Sequence, residues 1–338
     1  MSAAMIFGLS QAVSADTMEL KVLGHPGATG LIQKNLEGPF FAEFADRTGL
    51  DVSASFQPLD QTGIKAAEQL RLLKSGLYDI ISLRLQQVSR DEPMILGLDL
   101  VGLNTSYDAA RASASEFKDA LDERLQEQFG TKLLGLWGFG PQVLFCKPEI
   151  ASLSDVQGKK VRVYDQSLAN FISSVGGIPV PLGFPEVHQS LSRGVIDCAI
   201  TGPSSANSAS WPEVTSYVLP LGFQSAIQGY GISLKTWETM SPEDQAKMQA
   251  AFDKLSSDIW TYSEELFDDA MRCNVGESPC ELNKPYSLTK VEVSDADLSL
   301  VANAVKELSF PAWAELCDAN NPGCSETWKA TIGKRLGM

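Results

Sequence analysis

The segment Gly158-KKVRVYDQSLANFISSVGGIPVPLGFPEVHQSLSRGVIDCAI-Thr201 decides the fold. It sets a strand (160–164), a helix, a short strand (178–182), a second helix and a third strand in close succession, which makes two consecutive β-α-β units. Val161 and Val163 occupy one face of the first strand, and Lys160, Arg162 and Tyr164 the other. Strands of parallel sheets are covered on both faces, so an arginine there either lies at an exposed strand end or meets an anion. Arg162 lies near the carboxyl end, where open α/β sheets bind their ligands. Pro185 suits the first position of the second helix, Val187, Leu191 and Val195 form its apolar stripe, and Gly194 ends it.

Working outward, Leu20 to Gly24 reads as the first strand and leads into the loop His25 to Gly30. Asp51 to Phe56 alternates as a strand, Gln61 to Lys74 as a helix, and Asp79 to Leu83 as a third strand followed by a polar loop with Arg84, Gln86, Gln87 and Arg90. Two strand-like runs, 133–137 and 142–146, are broken by Gly138-Phe139-Gly140-Pro141, a hinge or domain crossover. Ser241 caps a helical run that reaches about Cys273, long enough to cross two domains. Residues 295–308 and 325–336 read as helices packed on the second domain.

Composition sets limits. The chain has 338 residues, 44% of them hydrophobic, enough for two α/β domains. Residues 1–15, MSAAMIFGLSQAVSA, resemble the end of a secretory signal peptide cleaved before Asp16, without the basic residues that open such a segment. No later run approaches the roughly 20 apolar residues of a membrane span. The net charge of −15 argues against nucleic acid and anionic lipid as partners. Any anionic ligand must therefore be drawn by a local positive site.

Of six cysteines, Cys273 and Cys280 flank one short polar loop and Cys317 and Cys324 another, which reads as two local disulfides in an exported chain. A four-cysteine metal site would use the tighter spacing of roughly two to four residues. Cys146 and Cys198 lie in apolar runs and fit either buried thiols or a bridge. There is no H-E-x-x-H, no G-x-S-x-G and no P-loop lysine, and the two histidines, His25 and His188, offer no supported catalytic set. No catalytic residue, metal site or cofactor is expected.

The order G-K-K-V-R-V, G-x-P-V-P-L, F-x-E-V and R-G-V-I-D resembles the signature of substrate-binding proteins of tripartite ATP-independent periplasmic (TRAP) transporters, of the dicarboxylate-binding-protein type. Ser75 to Ile80 and Leu153 to Gly158 extend the resemblance. It implies a two-domain α/β periplasmic binding protein with a hinged interdomain cleft, crossing strands and a domain-spanning helix. Domain I would comprise 16–138 and about 224–255, and domain II 139–223 and about 256–338. The implied function is capture of a small organic anion, as a monomer, for delivery to the membrane permease subunits. Two alternatives remain: a periplasmic enzyme acting on a carboxylated metabolite, and a binding protein for another importer or a sensor.

The same resemblance implies that Arg162 holds the ligand carboxylate, with His25, Arg84 and Phe184 at other contact positions and Tyr164 and Asp165 just past the arginine strand. Two departures stand out. Gln142 takes the place of a second arginine found in some branches. The stretch after Asp197 runs one residue longer than the pattern that places an asparagine there, so Thr201 or Ser205 would substitute.

Overall fold

The computed structural model describes residues 17–338; the signal-peptide reading of 1–15 lies outside the described residues. Two sheets organise the chain. The first, in the order β2-β1-β3-β10-β4, comprises β1 (Met18–Gly24), β2 (Val52–Pro58), β3 (Ile80–Leu83), β4 (Thr131–Gly138) and β10 (Ile227–Ser233). The second runs β11-β9-β5-β8-β6-β7: β5 (Val143–Cys146), β6 (Lys160–Val163), β7 (Ile178–Pro181), β8 (Cys198–Thr201), β9 (Tyr217–Leu219) and β11 (Thr289–Lys290). β6 is parallel to both of its neighbours, β7 and β8, as two β-α-β units require.

Alternation along β5 shows how the second sheet is buried. Leu144 and Cys146 enter one apolar core with Val161 and Val163, while Val143 and Phe145 enter another, with Phe184 and Trp211, on the opposite face. Cys146 and Cys198 are register partners on antiparallel β5 and β8, and they are bridged. That settles the pair the sequence left open. Cys273–Cys280 and Cys317–Cys324 form the two local loops.

The chain crosses between the sheets in extended form twice, from β4 to β5 and from β9 to β10. At the first crossing Gly140 has φ +85°, and any Cβ there would overlap the ring of Tyr107. The Tyr107 hydroxyl lies against Phe139 O (3.2 Å) and donates to Ser263 O (2.6 Å), pinning the crossing to the long helix. That helix, Pro242–Val275, has 34 residues and is capped by Ser241, so it is about 50 Å long. Met248 to Leu266 pack in the first core, and Met271 and Val275 against the second sheet.

Several local expectations shift. The run 61–74 is not one helix: a 3₁₀ turn at Leu59–Gln61 and another at Ala66–Glu68 precede a short helix, Gln69–Ser75. The arginine strand ends at Val163, so Tyr164 begins the following turn. Val195 falls beyond its helix and is exposed, leaving Val187 and Leu191 as the buried stripe. The C-terminal helices divide. Val301 and Ala304 pack on the second sheet, but Phe310, Trp313, Trp328 and Ile332 join the first core. Trp313 and Trp328 donate through Nε1 to Pro93 O (2.8 Å) and Gly97 O (2.7 Å), which holds 310–332 on the first body and not on the second.

Candidate functional site

Arg162 leaves β6 on the face that carries Phe184 and Trp211, opposite Val161 and Val163. It is 1% exposed. Its Nε donates to Leu182 O (3.1 Å) and Nη1 to Ile200 O (2.9 Å), so the ends of β7 and β8 fix the guanidinium plane. Among the described residues no carboxylate oxygen comes within 4.0 Å of it. Tyr164 and Trp211 flank the charge, with ring centroids 5.3 and 5.8 Å away.

Arg84 comes from the other domain. The buried Gln69 amide donates to Ser82 O (2.9 Å) and accepts from Arg84 N (2.8 Å), clamping the carboxyl end of β3 where the chain turns out of the sheet. Arg84 also lacks a carboxylate within ion-pair distance. Burial, and then the positive charge it shares with Arg84, pulls the Arg162 pKa down to about 10. Burial does the same to Arg84, partly opposed by Asp60. Both stay charged at neutral pH, so two largely desolvated cations face one space without a partner.

That space is a pocket of about 40 Å³ between the domains. Of the residues singled out from sequence, Arg162, Arg84, Gln142, Phe184, Tyr164, Thr201 and Ser205 line it. Phe184 stacks on Trp211 at 5.4 Å. Gln142 Nε2 donates to Gly140 O (2.8 Å), so this position supplies an oriented amide at the crossing. Ser205 Oγ donates across the cleft to Thr29 O (3.2 Å), and Val101 N donates to Ser167 Oγ (2.9 Å), so the domains already touch on either side.

His25 and Asp165 do not line this pocket. His25 is buried against Trp137 and Phe139 and hydrogen-bonds through Nδ1 to Thr29. Burial, and then the charge on Arg84, holds its imidazolium pKa well below 6.5, so it is neutral. Asp165 caps the helix Gln166–Ser174 through Leu168 N (2.8 Å), accepts from Gln224, and faces a larger outer cavity of about 640 Å³. Burial pushes its carboxyl up to about 7.

Thr29, Gln86, Gln87, Phe139, Ala226 and Gln228 complete the inner pocket and were not picked out as contacts. Gln86 and Gln87 fall in the run read from sequence as a polar loop, which instead forms a short helix, Leu85–Val88, and Phe139 lies in the glycine-broken crossing. Ala226 ends the return crossing, with φ +49°, and Gln228 follows it at the start of β10. Glu37 is a further buried group with no sequence signal. It accepts from His25 N (3.1 Å) and Tyr230 Oη (3.1 Å), and burial raises its carboxyl to about 7.

Comparison with known proteins bears on this arrangement. The family model for bacterial extracellular solute-binding protein, family 7, matches residues 30–297. The chain belongs to that family. It is 30% identical over 141 residues to a solute-binding protein of Roseobacter denitrificans, covering 41% of this chain and 43% of that one. The match thus spans about two fifths of the length of this relative and of a second, from Chromohalobacter salexigens. The fold is similar, with a TM-score of 0.78 and 20% identity, to a marine metagenome TRAP solute-binding protein specific for pyroglutamate, over 93% of this chain and 99% of that one. A TRAP periplasmic solute-binding protein from Sulfitobacter with bound β-D-galacturonate gives 0.76 and 21%, over 93% and 99%. These likenesses establish the two-domain fold. No helix among the described residues is long and apolar enough to cross a membrane.

Proposed function

We propose that this protein captures a small organic acid outside the cytoplasm, as a monomer, and hands it to the membrane subunits of a TRAP transporter. One observation carries the reading: two guanidinium groups, one from each domain, line a single pocket, and among the described residues no carboxylate lies within ion-pair distance of either. Leaving such charges desolvated is costly, and a ligand carboxylate relieves both at once. Arg162 supplies an oriented two-point donor from β6, and Arg84 approaches from the facing loop. Phe184 and Tyr164 exclude water around the acid, and Gln142, Thr201 and Ser205 supply polar contacts. Because the arginines sit on opposite domains, binding ties the domains together, and the extended crossings and long helix bend as the cleft closes. Family membership supports binding over turnover, and acids bound by structural neighbours, pyroglutamate and β-D-galacturonate, fit the same chemistry.

Titration calorimetry with pyroglutamate, D-galacturonate, D-glucuronate, succinate and orotate tests the reading. At least one acid should bind at micromolar concentration or tighter and be recovered unchanged. Failure of every acid, or recovery of a converted product, refutes it.

A further inference from the structure

The pocket wall at the start of β10 holds an acceptor that accepts no hydrogen bond among the described residues. Gln86 Nε2 donates to Ile227 O (2.7 Å) and faces Asp99 Oδ2 (3.4 Å), which turns Gln86 Oε1 towards Gln228. Gln228 Nε2 donates to that oxygen at 2.7 Å and to Ala226 O at 3.0 Å. Two acceptors around the nitrogen fix which way the amide lies. Gln228 Oε1 is therefore the free end; it is buried and accepts no hydrogen bond among the described residues. Gln228 is 4% exposed and lines the same pocket as the two arginines.

His25 does not line the pocket, but its ring lies within side-chain hydrogen-bonding reach of Gln228. Thr29 Oγ1 donates to Pro26 O (2.6 Å) and so accepts from His25 Nδ1 (3.0 Å). The ring proton is then on Nδ1, and Nε2 is a bare acceptor, also buried and unpartnered. Buried acceptors are paired in the great majority of cases. Of the two, Gln228 belongs to the pocket wall that the arginines share.

We infer that the ligand carries, besides its carboxylate, a hydroxyl or N–H donor that Gln228 Oε1 accepts, and that Gln228 selects donor-bearing acids over matched acids without the donor. This inference rests on the carboxylate reading above and narrows it. The arginines can only donate, so they recognise the acid and other acceptors but cannot read a donor hydrogen on the ligand. A donor-free ligand would seal Gln228 Oε1 away from water with nothing in exchange.

The test is a pair of matched titrations on the intact protein: L-malate against succinate, and pyroglutamate against 3-oxocyclopentanecarboxylate, which keeps the ring carbonyl but lacks the N–H. In at least one pair the donor-bearing acid should bind at least about tenfold tighter. Gln228→Met keeps the side-chain length but removes the acceptor, and it should collapse that ratio towards one. A purely structural role for Gln228 would weaken both members of a pair alike and preserve the ratio. Equal affinities within both pairs in the wild type, or a ratio kept in Gln228→Met, overturns the inference and leaves the carboxylate reading standing. Absence of binding by all four acids overturns the inference, and the carboxylate reading falls with it only when the full acid panel above fails as well. If Gln228→Met does not fold, the wild-type comparison decides alone.

Discussion

Replacing Arg162 by alanine tests the charge arrangement most directly. The guanidinium sits in a closed cleft, 1% exposed, with Nε and Nη1 anchored on Leu182 O and Ile200 O. Alanine leaves the ligand carboxylate buried with Arg84 alone, which should cost about 2–5 kcal/mol of affinity, or roughly 30-fold to several-thousand-fold in Kd. Arg162→Lys should recover part of this, because a point charge cannot reproduce the planar fork. The ligand-free protein is affected differently. Alanine gives up two charge-assisted hydrogen bonds, worth about 1.5–3 kcal/mol each. It also removes a cation whose pKa burial lowers from 12.5 to about 10, an unfavourable burial of about 3 kcal/mol. Losses and gain are comparable, so the ligand-free variant should melt within several degrees of the wild type while binding collapses. Calorimetry with the tightest acid of the panel, alongside thermal melts, separates the two. Wild-type affinity in Arg162→Ala would refute the reasoning. A melting temperature lowered by tens of degrees without ligand would instead make Arg162 a structural element of the second sheet.

The three disulfides should differ in worth: Cys146–Cys198 spans a separation of 52 residues and the others 7. Removing the first (C146A/C198A) should cost about 4 kcal/mol, against about 2.5 kcal/mol for C273A/C280A, and urea unfolding would show equal losses if the pairing were wrong. Stability should carry an acid-side slope from Glu37, raised from 4.5 to about 7. Between those values the folded state keeps a proton that the unfolded state releases, so this contribution falls as pH rises and levels off above about 7. Neutral burial of His25 acts in the opposite sense below 6.5, so the comparison must be with Glu37→Gln, which should gain stability relative to the wild type between pH 5 and 8; a constant difference would count against it. Gly30 has φ +123°, and a Cβ there would lie 2.7 Å from Ser208 Oγ on the facing domain. Gly30→Ala should therefore disfavour the closed form, weakening binding by about tenfold or more and enlarging the ligand-bound radius of gyration in solution scattering; unchanged values would show that this contact does not limit closure.

How much of this was legible in the sequence depended on whether a residue's neighbours were local. Arg162 was readable because two β-α-β units place it at a strand's carboxyl end, and that follows from spacing alone. The 34-residue helix was readable from its cap and its length. β10 was not, because Gly229 and Gly231 interrupt its alternation. They are there because β4 pairs closely: a Cβ on Gly229 would lie 3.1 Å from Gly135 O. With β10 unread, Gln228 and Ala226 had no place in the site. The bridge between Cys146 and Cys198 depends on the register of antiparallel strands distant in sequence, which neither apolar run discloses. The C-terminal helices show the same limit. An apolar face predicts burial but not the body that buries it, and the tryptophans reach back to Pro93 and Gly97.

The position of β10 between β3 and β4 constrains how the molecule comes into being. Strands β1 to β4 are synthesised early, yet β3 and β4 cannot pair with each other; each offers a bare edge until residue 233 has followed. During that interval the nascent first domain is an open half-sheet with unsatisfied backbone groups, the kind of edge that recruits other chains. Its far side waits longer still, for Trp313 and Trp328 to dock. A fragment ending after β4 should therefore not fold by itself. Completion of the first domain is tied to the arrival of the carboxyl-terminal third, so the segments that join the two halves also postpone the moment at which either half exists.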